Sequence, residues 1–83
     1  MTDQPRIEVL TRPGCHLCDQ AVEVIRSVCA ETGDHYVERD IDADPELRQA
    51  YTDQVPVTFV DGVQHDFWRV DPGRLMRALA RIR

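Results

Sequence analysis

Along this chain the spacing of apolar positions switches between a period of two and a period near 3.6, and each switch marks a new element. RIEVLT (residues 6–11) is short, aliphatic and β-branched, and it stops at Pro13-Gly14. That pattern predicts a buried strand. From 15 to 31 the period is helical. At 100° per residue, Ala21, Val22, Ile25, Val28 and Cys29 fall within about 80° of Cys18, while Asp19, Gln20, Glu23, Arg26 and Ser27 lie outside or at the edge of that stripe. Thr32-Gly33-Asp34 ends the helix, with Gly33 suited to a left-handed cap. HYVERDI (35–41) reads as a second strand. Asp44-Pro45-Glu46 opens a short helix to about Tyr51, with Asp44 as N-cap and Pro45 in its first position. VPVTFV (55–60), Asp61-Gly62 and VQHDFW (63–68) predict a hairpin, since Asp-Gly suits a type I′ turn. Asp71-Pro72 repeats the capped start, and Leu75, Met76, Leu79 and Ile82 mark one face of a last helix.

The predicted order is βαβαββα. The first two strands flank a helix and should be parallel through a right-handed crossover. The last two should pair antiparallel. The expected fold class is therefore α/β: a four-stranded mixed sheet flanked by three helices, as one domain over 1–83.

Composition narrows the functional classes. A net charge of −5 argues against nucleic acid or an anionic membrane as partner. All ten cations are arginines and form no dense patch. MTDQPR lacks the apolar core of a secretory signal, and no run nears the roughly 20 apolar residues of a membrane span. The expected compartment is the reducing cytoplasm, and the expected state a monomer. Three cysteines are too few for a disulfide scaffold, so the thiols are expected to be redox-active or buried.

Cys15 and Cys18 form a C-x-x-C at the junction of a strand and a helix. Unpaired N–H groups and the positive end of the helix dipole face the Cys15 sulfur there, and both favour thiolate over thiol. Arg12 adds a positive charge, and Gly14 allows a close backbone approach. Cys18, one turn on and on the buried stripe, is placed to attack a mixed disulfide on Cys15. A structural disulfide over so short a loop removes little chain entropy. A zinc site needs four ligands where one C-x-x-C supplies two, and Cys29 lies about 16 Å along the helix from Cys18. Cys29 reads as core.

TRPGCHLCDQ after a strand, VPVTFVDG later and the βαβαββα order together resemble the glutaredoxin-like proteins of thioredoxin fold, in particular a short group with a C-H-L-C centre. The resemblance covers nearly the whole chain. It implies thiol–disulfide exchange with Cys15 as nucleophile and Cys18 as resolving thiol. It also implies a cis proline at Pro56, with the Val55 backbone pairing with the incoming disulfide-bearing chain. Arg12, His16, Val55 and Pro56 are then the substrate-binding candidates. Glutaredoxins usually carry Pro-Tyr between the cysteines, where this chain has His16-Leu17. They also carry a glycine pair after the hairpin, where this chain has Asp66-Phe67. Glutathione is therefore not the expected principal partner, though Arg12 leaves room for weak binding, and no cofactor or metal is expected. The expected partners are a disulfide-bearing protein or small-molecule thiol, and a reductase or dithiol donor. Two other readings remain open: a binding module that uses the Val55-Pro56 surface without catalysis, and a metal or iron–sulfur carrier that uses Cys15.

Other residues weigh less. His16 would support a thiolate when protonated, or simply start the helix. Asp40, Asp42 and Asp44 imitate a calcium loop, but Pro45 stands where that loop needs Gly and Tyr51 where it needs Glu. Tyr51, Phe67 and Trp68 read as core or half-buried packing, and His35 and His65 as surface. Arg69, Arg74, Arg77, Arg81 and Arg83 read as the solvated face of the last helix.

Overall fold

A computed structural model describes residues 5–81. The expectations for Ile82, for Arg83 and for the first four residues lie outside them. The elements run β1 (Ile7–Thr11), α1 (His16–Thr32), β2 (Tyr36–Asp40), a 3-10 turn (Ile41–Ala43), α2 (Pro45–Tyr51), β3 (Val57–Val60), β4 (Val63–Phe67) and α3 (Pro72–Arg81). The sheet order is β2-β1-β3-β4. β1 is parallel to β2 and antiparallel to β3, and β3 is antiparallel to β4. This is the mixed α/β sheet of a thioredoxin-like fold, with its three helices.

The local signals work as the chemistry requires. Gly33 closes α1 at φ +81, and its N–H donates to the carbonyl of Cys29 at 2.8 Å. Asp44 accepts from the N–H of Glu46 at 3.0 Å and starts α2. Asp61 and Gly62 hold φ of +53 and +83, the positive values a type I′ turn needs at both positions. The second strand ends sooner than expected. Asp40 accepts from the N–H of Asp42 at 2.8 Å, which turns the chain into the 3-10 segment and buries Ile41.

Side-chain parity divides the interior. Ile7, Val9 and Val60 face α1 and α3 and pack with Ala21, Ile25, Val28, Leu75 and Leu79. The opposite face holds a smaller cluster of Leu10, Ile41 and Val57, covered in part by Leu47, Tyr51, Val55 and Phe59. The Tyr51 and Phe59 rings meet edge to face at 6.1 Å. Cys29 is buried in the larger cluster, as its place on the helix stripe implies.

Phe67 and Trp68 depart from the expected half-buried packing. They are 44% and 50% exposed. The register explains Phe67. Thr58 pairs with Asp66 but Phe59 with Gln64, so His65 is an extra residue that bulges β4. Past the bulge, Asp66 shares the helical face with Thr58, and its carboxylate meets Arg74 of α3 at 2.9 Å. Phe67, opposite Val57 on the edge strand, is left on the thinly covered face.

One cation ties the far end of the sheet. Arg6 donates to Asp61 at 3.0 and 2.8 Å and to the carbonyl of Leu79 at 2.9 Å, and it lies 3.5 Å from Asp34. The hairpin turn, the end of α1 and the last turn of α3 therefore share one guanidinium, which donates to a carbonyl of that last turn. Arg6→Met removes these charge-assisted bonds and should lower stability by about 1–3 kcal/mol in urea denaturation. A change within error would show that the three segments hold together without it.

Candidate functional site

β1 runs out at Thr11, and Arg12-Pro13-Gly14 carries the chain over the sheet end into α1. Gly14 takes φ +75, and a Cβ there would meet nothing within 4 Å. Its glycine thus serves a left-handed dihedral in open space. Cys15 follows as the N-cap, with φ −101 and ψ 112, just before the helix proper. Its Sγ accepts the N–H of Cys18 at 3.2 Å, and its carbonyl accepts that of Asp19 at 3.1 Å. A sulfur occupies the place where an N-cap oxygen usually accepts, at the positive end of the helix dipole.

The two thiols differ in access, and Cys18 holds its proton tightly. Cys15 is half-buried and Cys18 is 2% exposed; both are free thiols. Burial pushes the Cys18 thiol up to about 12, and its hydrogen bond to the Cys15 sulfur adds to that. A backbone hydrogen bond from the N–H of Arg12 pulls it the other way. Burial also raises the Cys29 thiol.

The remaining candidates fall around this turn in different ways. The Arg12 guanidinium reaches Asp42 at 3.3 and 3.4 Å, so its charge is shared with the 3-10 turn after β2. Asp40 and Asp44 serve as caps beside it, so each of the three spaced aspartates has a structural task. His16 is exposed as the first residue of α1. The Val55–Pro56 bond is cis. Leu10 pairs with Val57, which sets Pro56 beside the Thr11 end of β1, the end from which the chain enters Cys15. Pro56 is buried, Val55 is half-buried, and both precede the β3 ladder. Among the described residues no three His, Cys, Asp or Glu side chains gather closely enough to hold a metal ion.

Trp68 joins this group unannounced. Its N–H donates to the carbonyl of Pro56 at 2.7 Å, and its indole N–H to the carbonyl of Asp53 at 3.1 Å. It holds φ +66, so the left-handed residue after the hairpin is Trp68. Only the end of the β4 pattern and the following Asp71-Pro72 hint in the sequence at a residue outside both strand and helix.

Residues 6–80 match the family described as Glutaredoxin-like domain (DUF836). An uncharacterized protein of Mycobacterium tuberculosis is 35% identical in an alignment that covers 94% of this chain and 86% of that one. A structural-genomics target from X. campestris, solved by X-ray, is 32% identical with a TM-score of 0.75 over 93% of this chain and 99% of its own. Protein Ne2328 from Nitrosomonas europaea is 28% identical with a TM-score of 0.72 over 90% and 94%. Fasciola hepatica thioredoxin, 17% identical with a TM-score of 0.58 over 98% of this chain and 85% of its own, shares the fold.

The raised thiols carry a sign for stability. A thiol whose folded value lies above the ordinary 9.0 keeps its proton in the folded state after the unfolded chain has lost it. Stability of the reduced protein is therefore expected to fall as pH rises from about 9 toward about 12. Cys18→Ala and Cys29→Ala should each flatten that fall. Denaturation midpoints across this range check it, and a midpoint rising with pH contradicts it.

Proposed function

The chain belongs to the glutaredoxin-like family (DUF836) and has the thioredoxin fold, and on that premise we propose that it is a thiol–disulfide oxidoreductase. The observation that carries the reading is the pairing of an accessible capping sulfur with a buried thiol one turn behind it.

Cys15, as thiolate, attacks a substrate disulfide R–S–S–R′. A bond forms between Cys15 and one sulfur, and R′S⁻ leaves. Cys18 then loses its proton and attacks the Cys15 sulfur, releasing RS⁻ and closing Cys15–Cys18. Two electrons pass from the dithiol to the substrate, and the departing thiolates take up two protons, that of Cys18 among them. The high proton affinity of Cys18 keeps it a thiol until the mixed disulfide forms, so Cys15 acts first.

Val55 and cis-Pro56 form the ledge beside Cys15 where the substrate chain lies against the backbone, and His16 and Arg12 border it. The partners on this reading are a disulfide-bearing protein or small thiol, and a dithiol donor that restores the reduced state. Asp66, in its ion pair with Arg74, and Phe67 stand where glutaredoxins carry paired glycines. Glutathione is accordingly the weaker donor.

Alkylation of the reduced protein at neutral pH should label Cys15 first. Cys18→Ser should accumulate mixed disulfides, and Cys15→Ser should be inactive. Faster labelling of Cys18 would reverse the assignment. The oxidised protein should be reduced faster by NADPH with thioredoxin reductase than by glutathione. Turnover that saturates at low micromolar glutathione would make glutathione the donor instead.

A further inference from the structure

A groove opens at the cysteine end of the molecule, between α1 and the segment that joins β4 to α3. Leu17, Gln20 and Val24 form one wall and Trp68, Arg69 and Val70 the other, around a cavity of about 150 Å³. Leu17 stands between the two cysteines and is 37% exposed, so the groove begins within the reactive turn itself.

The Trp68 wall is built, and it is more than leftover surface. A bulky residue rarely adopts positive φ, and Trp68 does so at +66. Its backbone N–H is held by Pro56 and its indole N–H by Asp53. The Phe67 ring braces it edge to face at 5.0 Å. Both N–H groups of Trp68 are thus satisfied inward while half of its surface stays open to solvent. Conformations of this kind gather where a ligand is met, and a side chain already fixed loses little freedom when something binds. Next to it, exposed Arg69 takes part in no ion pair among the described residues, whereas Arg6, Arg12 and Arg74 do.

We propose that this groove selects polypeptide disulfides: it receives one apolar side chain next to the attacked cysteine, and Arg69 meets a carboxylate beside that side chain. The proposal rests on the thiol–disulfide reading above. An apolar wall with a single cation at its rim complements an extended Leu-Glu-like segment, and glutathione has no apolar side chain to place there. The cavity fits one side chain.

Two short peptides test it, each with one cysteine as its mixed disulfide with thionitrobenzoate. One carries Leu and Glu beside the cysteine, the other Gly and Gln, and release of thionitrobenzoate is followed by absorbance. The reduced full chain should react about tenfold faster with the first, as one well-placed apolar side chain commonly gives. Trp68→Gly, which accepts a positive φ, should bring the ratio toward one. Leu17→Ser should do the same if that variant does not fold. Val63→Ser, at an exposed position on the hairpin, should keep the ratio. Arg69→Gln should erase only the part owed to Glu.

Trp68 is the single tryptophan of the chain, so its emission reads the groove directly. A cysteine-free Leu-Glu peptide should shift it to the blue, and its Gly-Gln counterpart should not. A wild-type ratio near one, or a preference that survives both Trp68→Gly and Leu17→Ser, overturns the proposal. So does a blue shift that grows with protein concentration alone, which gives the groove to a second copy. If no disulfide reacts at all, the oxidoreductase reading falls, and the titration then decides whether the groove binds the peptide.

Discussion

A helix that starts directly at the end of a strand leaves its first N–H groups without partners inside the helix. In this protein one of them is accepted by a sulfur, and the rest of the reactive end follows from that substitution. The Cys15 sulfur takes the N–H of Cys18, which fixes the first turn of α1. That turn directs Cys18 inward, onto the stripe that already holds Ala21, Val22 and Ile25. The burial that stabilises the helix on the sheet is the same burial that raises the Cys18 thiol. Packing and the raised Cys18 thiol come from one arrangement, and the two cysteines differ in burial because one caps the helix and the other packs beneath it.

The sheet has two unequal sides, and this governs what the site can offer. α1 and α3 cover one side thoroughly, so the helical face of β1 and β3 is dry. On the other side α2 contributes no fully buried residue. The edge strand β4 lies at the end of this asymmetry. Its bulge at His65 turns Asp66 toward Arg74 and leaves Phe67 half open. The aromatic surface beside Pro56 is thus a product of strand register as much as of residue type.

Most of the fold was legible because its signals are local. Alternation, a helical stripe, Gly33 as a cap, Asp-Gly as a turn and two Asp-Pro starts each act over a few residues, and each lies where the spacing put it. The cysteine turn was legible for the same reason, since a cap is decided by its neighbours. What escaped depends on distant partners or on counting across strands. Arg12 stands in the sequence as a charge near Cys15, but its partner Asp42 comes from the 3-10 turn after β2. The exposure of Phe67 hangs on one extra residue in β4, which no alternation pattern reveals. As an aromatic, Trp68 is expected to pack. Its positive φ and its bonds to Pro56 and Asp53 belong to the tertiary structure alone.

The Arg6 cluster has a further bearing on motion. It fastens the pole of the sheet where Ile7 pairs with Val60 and Tyr36, and the cysteines, cis-Pro56 and Trp68 lie at the other pole. Opening fluctuations in a domain follow its weakest contacts. The Arg6 bonds hold the strands in register at their pole, so a local opening at the cysteine pole need not pass through the sheet. On the proposed function, a mixed disulfide would strain the cysteine turn without unzipping the sheet, much as the blades of a clasp move while its pivot stays still.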